Sequence, residues 1–516
     1  MLLSGSLRDG VALGCLVVGL SVAGGCRAGS AARRARLWAV GESYRVFPDT
    51  PVQDESDCFS RRDGRVKLFA AINETVGWQL AITAGPATLE QVRISIDPLV
   101  GKDGRIGPSH VRMYRQWFTR VERYRSWFLL HAPYPATLRE FPDALIPLSG
   151  PTNAGGLSVP AGRTLPVWID VTIPAGTRPG LYRSAVRVAA RDGEVGRLDV
   201  ELRVWPFALP SDRHLPVLVG LDRKRLFAAH LRWQGQPYVP VRLSGDEPLR
   251  DRAIGLIRRT FALLHAHRCS AYLSGYGPIV RADEQGQPIV DWSEYDQLVG
   301  GYMDGTAFAD RVGLSGWPVP LTSQLSRLMS RRTAEASEVW NWWGFYLRRC
   351  AAHLQERGWL DRAFLWCELP VPAGAADYRF LRQLGRLAGQ AEPPLPLASS
   401  VLPQPMGLLG WSGCNYQDVS ELVEIFAPPG RFYDPATMRR LQGEGKRAWL
   451  RPDRPPFAGS LAIEAPLTMV RAIAWQAFRC GADGVLITAG GDWPDRPYEI
   501  AIERADQRSD CWLIWP

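Results

Sequence analysis

The chain has 516 residues, 46% hydrophobic and 22% charged; these are proportions of a folded protein of two or three domains and exclude a largely disordered one. The net charge of +9 does not imply a nucleic-acid partner, because only four of the 61 basic residues are lysines (Lys67, Lys102, Lys224 and Lys446). The arginines are scattered among acids, with no run beyond Arg33-Arg34-Ala35-Arg36, so no phosphate-binding face is expected.

The N-terminus reads MLLSGSLRDGVALGCLVVGLSVAGGC. Arg8 precedes an apolar stretch, Val11 to Ala23, that is short for a membrane span. Ala23-Gly24-Gly25 then lead into Cys26, which has the shape of an export signal. It resembles a bacterial lipobox, with Ala23 where leucine is usual. The expectation is a signal peptide over 1–26, lipidation at Cys26, a tether over 27–36 and a place in the cell envelope. The lipid anchor would be the only membrane contact. Beyond Cys15 and Cys26, seven cysteines remain: Cys58, Cys269, Cys350, Cys367, Cys414, Cys480 and Cys511. Their wide spacing matches no metal motif and fixes no disulfide, and an odd number leaves at least one thiol unpaired within the chain.

Residues 37–210 read as all-β. VKLFAAINETVGWQLAIT, RTLPVWIDVTIPAG, GLYRSAVRVAA and GRLDVELRVWPF alternate or run apolar between Gly/Pro turns, which predicts a β-sandwich. Asn73-Glu74-Thr75 fits a glycosylation sequon and is read instead as a turn.

Over 211–516 the pattern becomes strands alternating with amphipathic helices. LPVLVGL (215–221) is a strand, Ala253–His267 a helix, SAYLSGY (270–276) a strand and RVGLSGWPVP (311–320) another. Ser337–Gly358 is a long helix with Val339, Trp343, Tyr346, Leu347, Cys350 and Leu354 near one face, ended by Gly358. AFLWCELP (363–370) follows as a strand. After it come helix 375–390, strands PLASSVL and LVEIFAP, helix 435–445, strand RAWLRP, helix 466–480 and strand GVLITAG. About eight strand–helix units in about 280 residues predict a TIM-like (β/α)₈ barrel. A doubly wound open sheet is the competitor, disfavoured because no Gly-rich phosphate loop follows the first strand.

Metalloprotease, dinucleotide, P-loop and nucleophile-elbow motifs are all absent, so no metal and no cofactor are expected. Acids at the C-terminal ends of predicted barrel strands remain, where that fold carries its sites. Glu368 ends the fourth strand, Asp222 the first, and Asp492 follows the eighth beside Trp493. Tyr276, Trp317, Trp411 and Tyr416 fall on the same rim. Acids with flanking aromatics suit a sugar, whose cleavage uses carboxyl groups and whose ring stacks on aromatic faces. The plainer role for a strand-end acid is an ion pair or a helix cap.

Three stretches carry a family resemblance: LFAAINETVGWQLAI with VWIDVTIPAGTRPGLYRSAVRV and LRVWPFALP; HLQERGWLDRAFLWCELP; and MVRAIAWQAFRCGADGVLITAGGDW. They resemble the bacterial group that includes the β-N-acetylgalactosaminidases of glycoside hydrolase family 123. The resemblance implies a sandwich followed by a barrel, and an Asp-Glu pair at the end of the fourth strand. In that pair the Glu protonates the leaving oxygen, and the Asp holds the substrate's 2-acetamido group, whose oxygen is the nucleophile. Glu368 matches the Glu and Cys367 stands where the Asp would be. A neutral thiol cannot balance the charge of an oxazolinium-like intermediate. Asp222, Asp453 and Asp492 are candidates for a second group. The chain ends at WLIWP (512–516), so a short or missing closing element of the barrel is expected. The implied function is an exported glycoside-hydrolase-like protein acting on a glycan, such as a β-N-acetylhexosaminide. The alternatives are a non-catalytic, surface-anchored glycan-binding protein and a structural envelope protein.

Overall fold

The computed structural model describes residues 35–121, 124, 128, 139–321, 337–371, 373–402 and 417–491. Among these, an N-terminal β-sandwich is followed by a parallel barrel. One sandwich sheet has five antiparallel strands in the order Arg36–Gly41, Thr75–Thr83, Thr164–Thr172, Val111–Val121 and Arg139–Pro147. The other is built around Leu89–Ile96, Gly180–Ala190, Gly193–Ala208 and Arg65–Ile72, the last two running parallel. Alternation puts Trp78, Leu80, Ile82, Val167 and Ile169 between the sheets, against Val66, Leu68, Val186, Val200 and Leu202 of the facing sheet. Asn73 takes a left-handed φ of 64° in the turn between Arg65–Ile72 and Thr75–Thr83. There its side-chain amide donates to the Leu209 carbonyl at 3.0 Å.

The opposite face of the five-stranded sheet is polar yet partly buried. Gln116 donates to Gln79, which donates in turn to the Gly41 and Tyr44 carbonyls. Arg45 reaches from this domain to the Ala465 carbonyl of the barrel at 2.9 Å, and Arg471 of the barrel pairs with Glu42 at 2.6 Å. The first bond satisfies a guanidinium that is buried between the domains, while the second pair stays partly in water.

The barrel strands are Val217–Asp222, Ser270–Ser274, Trp317–Pro318, Ala363–Cys367, Leu397–Ser399, Ile425–Phe426, Arg447–Leu450 and Gly484–Ile487. Their order in the sheet is second, first, eighth, seventh, sixth, fifth, fourth, third, all parallel. An open doubly wound sheet does not have this order. The remaining seam, between the second and third strands, is bridged by side chain and backbone: the Ser315 amide donates to Ser270 Oγ at 2.9 Å. All eight strands are present, so the sheet itself is not truncated; residues 492–516, on which a short closing element was expected, lie outside the described residues.

Helices Arg250–Ala266, Ser337–Glu356, Ala375–Gly389, Pro435–Gly443 and Leu467–Cys480 return between strands, each within a few residues of the segment its periodicity predicts. The third strand differs: ten residues were expected and two pair. Pro318 and Pro320 have no amide to give the ladder, which keeps the pairing short. The lumen is packed, not hollow. Phe364 lies edge-on to Trp449 with ring centres 5.0 Å apart, and to Tyr272 at 6.3 Å. Gly220 makes room for this packing: a Cβ there would lie 2.5 Å from the Tyr272 hydroxyl. No helix among the described residues is long and apolar enough to cross a membrane.

Candidate functional site

Strand alternation decides which residues of AFLWCELP meet the lumen. Phe364 packs against lumen residues of the second and seventh strands. Two residues on, Trp366 lies under the Arg451 guanidinium, 5.6 Å from ring centre to the guanidinium carbon. Two further on, Glu368 accepts from Arg451 Nη2 at 2.9 Å. The three share one side of the chain, and Glu368 emerges at the barrel mouth with half of its side chain exposed (50%).

Leu365 and Cys367 alternate with these residues and belong to the other face. Cys367 is 4% exposed and belongs to the buried apolar cluster of the barrel domain. It is a thiol rather than half of a disulfide. The position expected to carry the pair's aspartate is therefore a core position here.

Arg451 follows the seventh strand directly and, being neither an acid nor an aromatic, is not among the strand-end residues expected from the sequence. The same positional criterion applied to basic residues would have found it in RAWLRP. Its side chain is 14% exposed, and Nη2 also donates to Thr488 Oγ1 at 3.3 Å, just past the eighth strand. The fourth, seventh and eighth strands thus converge on one ion pair.

The segment after Glu368 is held by the fifth strand. The Leu369 amide donates to Ser400 Oγ at 2.7 Å, and that hydroxyl donates to the Leu369 carbonyl at 3.2 Å. Both contacts are buried, so Ser400 sets the direction in which the chain leaves Glu368. Ser400→Ala orphans a buried amide and is expected to cost about 1–3 kcal/mol. Chemical denaturation measures this; an unchanged midpoint would remove Ser400 from the support of the site.

The other sequence candidates are placed differently. Asp222 caps the helix Arg223–His230, its Oδ1 accepting from the Arg225 amide at 2.8 Å. Asp453 is bound by Arg431, whose Nη1 donates to both carboxylate oxygens at 2.8 and 3.0 Å. Trp317 is 2% exposed and packs near Phe261; Tyr276 is 5% exposed, stacks on Tyr295 and directs its hydroxyl to Glu294. With their faces covered, these two rings serve the core in this conformation. Trp411, Tyr416, Asp492 and Trp493 lie outside the described residues, as does Cys26. Among the described residues no cluster of His, Cys, Asp and Glu is arranged to hold a metal.

A cavity of about 400 Å³ lies elsewhere, between the five-stranded sheet and the barrel, walled by residues including Arg45, Asp170, Leu263 and Ile463. No sequence candidate lines it.

Residues 53–190 match the Glycoside hydrolase 123 N-terminal domain family. The whole architecture is similar to that of a family 123 glycoside hydrolase from Clostridium perfringens, solved in a study of glycolipid glycan hydrolysis. That likeness has a TM-score of 0.63 at 14% identity and covers 89% of this chain and 79% of the other. The chain is related to glycoside hydrolase family 123. The relation in sequence lies in the sandwich, and the likeness over the barrel is one of fold. A family 5 xyloglucanase from Bacteroides ovatus (9% identity, 83% of this chain and 93% of the other) has a TM-score of only 0.29. No curated protein matches the chain. In a family 123-like barrel, the mouth bearing Glu368 and Arg451 is the position where the fold carries its sites.

Proposed function

We propose that this protein is exported, anchored through a lipid on Cys26, and acts on a glycan with Glu368 as the general acid. The observation that carries the reading is the place of Glu368: a half-exposed carboxylate closing the fourth strand of a family 123-like barrel. Only its Oε1 is engaged among the described residues, by Arg451. A carboxyl group there can protonate a leaving glycosidic oxygen, as this hydrolysis requires. The first substrate to try is an aryl β-N-acetylhexosaminide. Turnover by the purified protein that disappears on changing Glu368 supports the acid role, and turnover indifferent to Glu368 removes it.

A second reading, a glycan-binding protein without catalysis, is favoured by one specific observation. Cys367 has no carboxylate and sits in the core, where the resemblance implies an anion that orients the acetamido group. Sugar binding with no turnover on any glycoside would select it. The anchor has its own test. Cells given labelled palmitate should label the wild-type chain and not Cys26→Ser; equal labelling of both rules Cys26 out.

A further inference from the structure

The glycan reading of the barrel mouth underlies a statement about which glycans fit it. The guanidinium of Arg451 is the cation beside Glu368, and much of its bonding capacity is unspent. Nη2 serves Glu368 and Thr488, while Nη1 is buried and makes no hydrogen bond among the described residues. The pair with Glu368 uses one carboxylate oxygen, and Glu368 is half in water, so this contact is one that a ligand can replace. Trp366 beneath the guanidinium is a flat surface on which it can turn without losing its cation–π contact.

The neighbouring charges matter as well. Asp453, the other acid near the seventh strand end, is committed to Arg431. Position 367 is a cysteine in the core and adds no carboxylate at the mouth. A second anion near Glu368 would repel a negatively charged ligand, and neither of these positions supplies one.

We propose that the site takes an anionic glycan, in which a carboxylate or sulfate on the bound sugar displaces Glu368 from Arg451. Such a group can accept from Nη2 in place of Glu368, and from Nη1 as well once the guanidinium turns on Trp366, the two-bond geometry that guanidinium favours. The exchange leaves Glu368 without its counter-charge.

The test is binding by calorimetry with the intact protein and three probes. These are p-nitrophenyl β-D-glucuronide, 6-sulfated p-nitrophenyl N-acetyl-β-glucosaminide and the same glucosaminide without sulfate. At least one anionic probe should bind the wild type about tenfold or more tightly than the neutral one, and the stronger arm tells carboxylate from sulfate. Arg451→Gln should bring the anionic probes to the neutral level. Glu368→Gln should tighten anionic binding several-fold, because the competing negative charge is gone. Equal binding of anionic and neutral probes, or no tightening in Glu368→Gln, overturns the inference and leaves the glycan reading standing. No binding of any probe by any variant overturns the glycan reading itself.

Discussion

Glu368→Gln should lower kcat on a phenyl or p-nitrophenyl β-N-acetylhexosaminide by about 10²–10⁴-fold, the usual contribution of a positioned general acid. Gln keeps the side-chain length and an oxygen for Arg451 but has no proton to give. The loss should be deeper on the phenyl glycoside, because its more basic leaving oxygen depends more on protonation. Folding should be little affected, since half of the Glu368 side chain is in water and its described bond is a partly exposed ion pair. Steady-state kinetics with a melting curve on the same samples checks both statements. A drop of less than threefold on the phenyl substrate with an intact fold would mean that Glu368 is not the acid. An equal loss on both substrates would point to a charge effect instead.

Cys367→Asp should destabilise the barrel and restore nothing. A carboxylate at a position 4% exposed in the apolar cluster loses its hydration, and a cost of about 3 kcal/mol or more follows from burying a charge there. Alternation sends position 367 to the face opposite Trp366 and Glu368, so the new acid does not arrive beside the bound sugar. Cys367→Ser is the control: similar in size and uncharged, it should cost less, and the difference between the variants isolates the charge. Denaturant unfolding and hydrolysis assays on both variants give the answer. Turnover gained by Cys367→Asp at near-normal stability would show that the strand end turns residue 367 into the cleft, and that this one substitution separates the protein from an active enzyme.

These two expectations depend on different amounts of information. That AFLWCELP is a strand after a helix ended by a glycine was legible, because apolar periodicity and the Gly358 stop are local features. Glu368 as the residue at its end was legible for the same reason. The partner of Glu368 was not. Arg451 lies 83 residues away in sequence, and no periodicity links the two. Trp317 and Tyr276 show the limit from the other direction. Their strand-end positions suggested open faces, but nearby aromatic rings cover both. Asp222 had two readings in sequence, and the helix that begins at Arg223 makes it a cap.

The amino-acid pattern alone determined the order of the architecture: a sandwich of alternating strands, then strands and helices in turn, with Glu368 closing the fourth of them. Each of those properties depends on neighbours a few residues apart, which is the range over which polar and apolar periodicity acts. The tertiary structure decided what the carboxylate meets and how deeply the thiol is buried. Both depend on the fourth, seventh and eighth strands coming together around one barrel. That arrangement brings Trp366 and Glu368 to Arg451, which also reaches Thr488, and leaves Cys367 in the buried apolar cluster.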